Sequence, residues 1–267
     1  MGRHKLQYPK DSVNTVKRYK VHGVYDVETV HRIVNSCPIL HVSFNSPDQP
    51  FPIVLPMIGQ LGSFDRPSAD LGDPLELYLH GYVSSRIMNL APKSIVDGEE
   101  VQGMPVCVAA SHVDGLVLTL ATFSHNYNYR SAMLFGYATT VKSDEEKLYA
   151  MELISNSVVT DRWKHTRQPP LPSEMQSTNI LKVKIVSASA KISAGSTTDD
   201  KSDMENSELV NSTWTGVLPV YQTIGDPIPG PYNTAEVPEH VTEFVKETNE
   251  ERKERSLKAA EGERRAS

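Results

Sequence analysis

Pro105-Val106-Cys107-Val108-Ala109-Ala110-Ser111-His112-Val113-Asp114-Gly115-Leu116-Val117-Leu118-Thr119-Leu120-Ala121-Thr122 lies in the most hydrophobic part of the chain. Its small and β-branched apolar residues suit a pleated, half-buried surface. Pro105 to Ala110 reads as one strand and Gly115 to Thr122 as another. Val113-Asp114-Gly115 reads as the turn between them, because Asp-Gly flanked by apolar runs is a strong hairpin signal. The neighbouring sequence repeats the pattern. Downstream, Ser131 to Val141 (interrupted by Gly136), Asn179 to Ser187 and Thr213 to Thr223 read as strands. Upstream, Ile39 to Phe44 and Phe51 to Ile58 are joined by the hairpin turn Asn45-Ser46-Pro47-Asp48-Gln49-Pro50. Leu75 to His80 alternates like a further strand, broken by Gly81.

Helical signals are few. Asp26 is placed to cap a helix from Val27 to Asn35, with Val27, Val30 and Val34 on one side and Pro38 ending it. Ser84 to Ala91 reads as a short helix. Ser143 followed by Asp144-Glu145-Glu146 opens another that runs to Asn156, with carboxylates where the helix dipole favours them. About seven strands, a few short helices and no βαβ rhythm predict a mainly β fold, an antiparallel barrel rather than a doubly wound sheet. The barrel domain is expected over residues 21–231. Residues 1–20 read as a polar arm, 60–74 as a long connection, 195–211 as a flexible loop, and 232–267 as a charged tail with helical potential.

Composition excludes several function classes. Among 267 residues, Lys plus Arg number 27 and Asp plus Glu 33, a net charge of −6 that argues against sequence-independent binding of nucleic acid. No apolar run approaches the roughly 20 residues that cross a bilayer. The N-terminus has no apolar leader, and Cys37 and Cys107 form neither a disulfide framework nor a CxxC pair, so a reducing cytoplasm is expected. The nine histidines form no HxH or HxxxH pair, and no metal site is expected. GxSxG, P-loop and GxGxxG motifs are absent.

Two segments carry chemistry. In Leu79-His80-Gly81-Tyr82-Val83-Ser84-Ser85-Arg86 a strand ends, a glycine permits a turn, and two hydroxyls and a guanidinium open a helix. That is the composition of an anion site, since amides at a helix start and an arginine fork both suit phosphate. The plainer reading is that Ser84 caps the helix and Arg86 is solvated. Phe123-Ser124-His125-Asn126-Tyr127-Asn128-Tyr129-Arg130-Ser131 packs donors and flat rings between two apolar strands, which suits a planar or phosphorylated ligand. A polar loop whose rings cover a barrel end is the alternative.

These segments carry a family resemblance. The chain resembles the flavin-nucleotide-binding proteins related to pyridoxamine 5′-phosphate oxidase, and within them the branch that includes the nitroimidazole-resistance proteins. The matching stretches run in order from Tyr25-Asp26 through His41-Val42-Ser43-Phe44, Phe51 to Pro56, Leu79-His80-Gly81 with Ser84-Ser85-Arg86, Pro105 to Val108, His112 to Leu118, and Asn128-Tyr129-Arg130-Ser131. They continue through Phe135-Gly136, Glu146-Lys147, Arg162-Trp163, Ser189-Ala190-Lys191 and Trp214 to Pro219. The resemblance implies a split β-barrel that forms a homodimer with FMN, in preference to FAD or haem, at the subunit interface. It implies that Ser84, Ser85 and Arg86, next to His80, hold the phosphate. Asn128, Tyr129, Arg130 and Ser131 would hold phosphate, ribityl or ring edge. Leu55, Pro56 and Met57 would pass along the isoalloxazine, and Lys191 and Trp214 would cover the site. His41 and His125 are the candidates to relay a proton. The implied function is an FMN-dependent oxidoreductase acting on a small organic molecule, such as a nitroaromatic or quinone-like compound. The alternative is a non-catalytic flavin- or haem-binding protein of the same fold.

Overall fold

The computed structural model describes residues 5–91, 95–96, 99–100 and 103–262. Its strands and helices, in chain order, are β1 (Gly23–Val24), α1 (Val27–Asn35), β2 (Leu40–Phe44), β3 (Ile53–Met57), β4 (Gly59–Gly62), β5 (Glu76–Tyr82), α2 (Arg86–Leu90), β6 (Ile95–Val96), β7 (Glu99–Glu100), β8 (Met104–Leu118), β9 (Asn126–Thr140), α3 (Asp144–Val158), α4 (Pro172–Ser177), β10 (Thr178–Ser193), α5 (Lys201–Met204), α6 (Ser207–Ser212), β11 (Gly216–Pro219) and α7 (Glu239–Glu261). The sheet runs β3-β2-β8-β9-β10-β5-β4, with β11 added to β8.

The two ends of that order, β3 and β4, are consecutive in sequence and separated by Ile58 alone. The chain passes from antiparallel pairing with β2, Phe44 opposite Ile53 to Leu40 opposite Met57, straight into pairing with β5, Gly59 opposite Leu79 to Gly62 opposite Glu76. At the corner Ile58 O accepts from His80 N at 3.0 Å. The sheet thereby closes into the expected mainly antiparallel barrel. A Cβ at Gly59 would stand 2.5 Å from Leu79 Cδ2 and 2.7 Å from Tyr78 O, so the corner requires glycine. Gly59 to Gly62 is thus strand, and the connection expected over 60–74 begins only at Ser63.

Inward residues of the barrel, among them Leu40, Val42, Leu77, Leu79, Val108, Leu134 and Ile180, are buried. Burying each such side chain contributes about 1.5–3 kcal/mol. The caps act as the sequence indicates. Asp26 Oδ1 accepts from Thr29 N (2.9 Å) and Thr29 Oγ1 (2.6 Å) ahead of α1, and Ser143 Oγ accepts from Glu146 N (3.3 Å) ahead of α3. α3 packs Ala150 and Ile154 against Tyr78, Val141 and Ile180.

The Asp-Gly turn is a correction. β8 runs unbroken from Met104 to Leu118, and the true turn spans residues 119–125. Asp114 is buried in an ion pair with Arg130. Gly115 lies where β11 crosses: Pro219 pairs opposite it, and a Cβ there would stand 2.9 Å from Val217 Cγ1. Gly136 likewise does not interrupt β9, because it admits the Lys184 carbonyl (2.3 Å from a built Cβ), and β5 runs through Gly81 to Tyr82. β10 extends to Ser193, whereas the strand expected over 213–223 shrinks to Gly216–Pro219.

The chain forms two compact units. The first holds residues 1–17, 23–111 and 131–190; the second holds 18–22, 112–130 and 191–267. In the first, the N-terminal segment is fixed. Tyr8 N donates to Tyr25 O (2.9 Å), and Val27 N donates to Leu6 O (3.0 Å). Buried Asn14 donates to Pro9 O (2.7 Å) and Ala188 O (3.0 Å). Tyr8 Oη lies 2.5 Å from Nε2 of fully buried His31, whose Nδ1 lies 2.9 Å from Leu71 O. A carbonyl only accepts, so those partners assign the ring proton to Nδ1 and make Tyr8 the donor. Burial holds the His31 imidazole down at about 4 and pushes the Tyr8 phenol up.

In the second unit, residues 195–211 hold α5 and the start of α6, capped by Asn206 Oδ1 accepting from Leu209 N (3.1 Å). The charged C-terminal segment forms the 23-residue α7. It is docked: Asn249 bonds both N (2.7 Å) and O (2.9 Å) of Ile224, and buried Ser256 donates to Asp114 O (2.6 Å).

His31 protonates near 6.5 when unfolded and only near 4 when folded, so the unfolded chain binds more protons between those values. Stability therefore falls as pH drops through this window, by about 2–3 kcal/mol at pH 4.5. Urea unfolding from pH 7 to 4.5 should show that loss and His31→Gln should lack it; equal slopes would contradict a buried neutral imidazole.

Candidate functional site

Closure of the barrel sets the first group of expected site residues side by side within the first unit. Pro56 sits opposite His41 in the β2–β3 register, and both are exposed. Proline is tolerated because β3 ends the strand order. Met57 is buried, and a Cβ on Gly81 would stand 2.6 Å from Met88 Cε, 3.6 Å from Met57 Cε and 3.8 Å from Ser85 Oγ. β5 ends at Tyr82, the chain turns with Ser85 N donating to Tyr82 O (2.9 Å), and α2 begins at Arg86. The strand–turn–helix arrangement read from the sequence is therefore present.

The cap of α2 is Ser85, not Ser84. Its backbone is extended (φ −66°, ψ 147°), yet its hydroxyl makes no capping bond. Ser85 Oγ is buried and has no hydrogen-bond partner. A buried hydroxyl without a partner forfeits about 1–3 kcal/mol, so a residue retained in that state suits a ligand acceptor. Ser84 is exposed, and its carbonyl accepts from Asn89 Nδ2 (3.2 Å). The Arg86 guanidinium meets Asp48 on the β2–β3 connection. Both side chains are exposed (41% and 64%), so the pair contributes little stability. The Ser46 hydroxyl, with Arg86 assisting, holds the Asp48 carboxyl below the usual range. His80 is exposed at the end of β5, and partial desolvation lowers its imidazole. Ser131, on β9, also belongs to the first unit.

The remaining candidates belong to the second unit. Asn128 is fully buried, and its amide donates to Gly195 O (3.0 Å) and Ala259 O (3.1 Å), tying β9 to α7. Arg130 grips Asp114 with two parallel bonds, Nε to Oδ2 (2.7 Å) and Nη2 to Oδ1 (2.9 Å). Lys191 Nζ lies 5.9 Å from the Tyr129 ring centroid and 5.7 Å from that of Tyr19. Trp214 is 64% exposed and lies over Gly216, whose φ of +155° and 2.8 Å clearance to the indole demand glycine. His125 Nδ1 accepts from Thr119 N (3.1 Å), so this exposed ring carries its proton on Nε2.

Sequence reasoning missed Asp48 and Asp114 as arginine partners, since neither spacing announces a contact. It also missed a cavity of about 500 Å³ in the first unit, whose lining includes Phe44, Pro105, Cys107, Phe135 and Tyr137. Burial pushes the Cys107 thiol up. Among the described residues no cluster of His, Cys, Asp and Glu could hold a metal ion, and no helix is long and apolar enough to cross a membrane.

Comparison with known proteins identifies the class to which this fold and turn belong. The pyridoxamine 5′-phosphate oxidase family model matches residues 26–192, more than half of the chain. The protein belongs to that family. No curated protein matches the chain. Among solved structures it is similar to the flavocytochrome Anf3 from Azotobacter vinelandii, with 25% identity over 88% of this chain and 97% of that one and a TM-score of 0.70. It is also similar to the FAD and heme binding protein from Mycobacterium smegmatis, with 23% identity over 84% and 97% and a TM-score of 0.67.

Removing Arg130 leaves a buried carboxylate without its counter-ion, which typically costs about 3–5 kcal/mol. Arg130→Ala should therefore lower the stability of the ligand-free protein by that order in urea unfolding, with Arg130→Ala/Asp114→Ala less affected. An unchanged midpoint would assign Arg130 to ligand rather than to structure.

Proposed function

We propose that the protein is an FMN-binding oxidoreductase, active as a homodimer, that exchanges electrons with a small organic molecule such as a nitroaromatic or quinone. The observation that carries this reading is the unpartnered, buried Ser85 hydroxyl beside the Arg86 guanidinium, at a strand-to-helix turn inside the family span 26–192.

FMN, when bound, supplies the hydride and electron transfer. The chain's own residues bind and orient it. Arg86 would exchange Asp48 for the phosphate in a charge-assisted fork contact. Ser85 Oγ would donate to the same group and so gain the partner it lacks. The β3 backbone at Leu55 to Met57 offers amide and carbonyl groups to the ring edge, while Pro56 withholds a donor. Met57 and Met88, both buried beside Gly81, would give the ring an apolar surface. His41, exposed opposite Pro56, can pass a proton between solvent and that edge. Apolar side chains left outside the barrel of the first unit, Val54 (55% exposed) and Val186 (52%) among them, support a second copy as the partner that covers them.

A second reading is a non-catalytic protein that holds flavin, haem or both. The observation favouring it is that the two similar structures are a flavocytochrome and an FAD and heme binding protein, and each match covers more of the chain than the family span does. A Soret band appearing on titration with haemin separates it from the first.

Arg86→Ala should weaken FMN at least tenfold while changing riboflavin, which lacks the phosphate, by less than threefold, a loss of about 1.4 kcal/mol confined to one ligand. Flavin fluorescence quenching reads both. Equal losses would remove Arg86 from the phosphate site.

A further inference from the structure

Residues 220–238 of the second unit contain no helix or strand, although both ends are held. Val220 N donates to Asp114 O (3.1 Å), Ile224 is clasped by Asn249, and α7 begins at Glu239. Between these anchors the sequence reads Asp226-Pro227-Ile228-Pro229-Gly230-Pro231-Tyr232. Ile228 is 91% exposed and Tyr232 is 96% exposed, and nothing lies within 4 Å of a Cβ built on Gly225 or Gly230. Single exposed apolar residues are ordinary on a protein surface. Two large ones laid bare on one anchored, proline-spaced segment form a presented ligand. Prolines at alternate positions lack N–H donors, so the segment cannot extend a sheet edge as a normal strand. Over residues 226–230 they favour the polyproline II conformation instead, which docks into grooves lined by aromatic rings, and the turn closed by Asn233 N donating to Gly230 O (3.0 Å) then presents Tyr232.

The same chain carries a groove of that description. The lining of the first-unit cavity of about 500 Å³ includes Phe44, Pro52, Pro105, Cys107, Phe135 and Tyr137 beside polar side chains. It is large enough for an isoleucine and a tyrosine side chain together. One chain thus holds both a proline-rich apolar ligand and a matching aromatic groove. We infer that residues 226–232 of one copy pack into this cavity of a second copy, each subunit reaching across to the other. Such an exchange is self-complementary, since the contact made by the first copy is returned by the second and the assembly closes as a dimer. The proposal rests on the homodimer half of the functional reading and is independent of the flavin.

The test places a thiol on the arm and uses the native one in the groove. In a Cys37→Ser background, Tyr232→Cys is treated with a short bismaleimide, and light scattering reports the assembly. The inference predicts a dimer that becomes covalent on a denaturing gel, with a yield at least tenfold above that of the same protein carrying Cys107→Ser. In parallel, Ile228→Asp/Tyr232→Asp should raise the dimer dissociation constant at least tenfold with flavin uptake by each subunit measured separately. A dimer whose cross-linking is absent, stays within one chain, or survives Cys107→Ser overturns the arm exchange and leaves the homodimer standing. A monomer overturns both.

Discussion

The corner at Ile58–Gly59 is the constraint on which the rest of the first unit depends. A single chain segment serves both ends of the sheet order, pairing with β2 before the corner and with β5 after it. The approach of Gly59 to Tyr78 O and Leu79 leaves no space for a side chain. Because β5 is drawn onto β4 at this corner, the end of β5 lies beside the end of β3. Met57, Gly81, Met88 and Ser85 therefore meet, and the turn that starts α2 is held against the barrel wall. The candidate flavin turn is a consequence of closure; an open sheet with the same strands would leave Ser85 and Met57 apart.

The second unit is organised around a polar contact. Asp114 holds Arg130 with its carboxylate, while its carbonyl receives both Val220 N and Ser256 Oγ. A buried aspartate is tolerable only with such full satisfaction. Asn128 adds a second tie, from β9 to the last turns of α7. Highly charged sequence with a thin apolar stripe thus docks through hydrogen bonds at chosen points rather than along a greasy face. This is why composition alone described α7 as a tail.

Legibility in the sequence followed the range of the interactions. Local signals sufficed for α1, whose limits follow from Asp26 and Pro38, for α3 with its Ser143 cap, and for the β2–β3 hairpin. The ordered set of motifs sufficed for the family. Long-range contacts defeated local reading. Asp114-Gly115 has the chemistry of a turn, but an arginine from β9 and a strand from a hundred residues downstream hold it extended. Gly81 and Gly136 read as breaks, yet each stands inside a strand to admit a neighbour. At the candidate site, residue types indicated the Ser84–Arg86 turn. The orphan hydroxyl of Ser85, the Asp48 partner of Arg86 and the structural employment of Asn128 and Arg130 exist only in three dimensions.

The account turns on the small molecule that the folded chain retains. Mass spectrometry of the supernatant after denaturing the purified protein measures it directly. The predicted result is the mass of FMN in near-stoichiometric amount. A supernatant free of flavin, from a protein that also takes up no added FMN, would contradict the proposal.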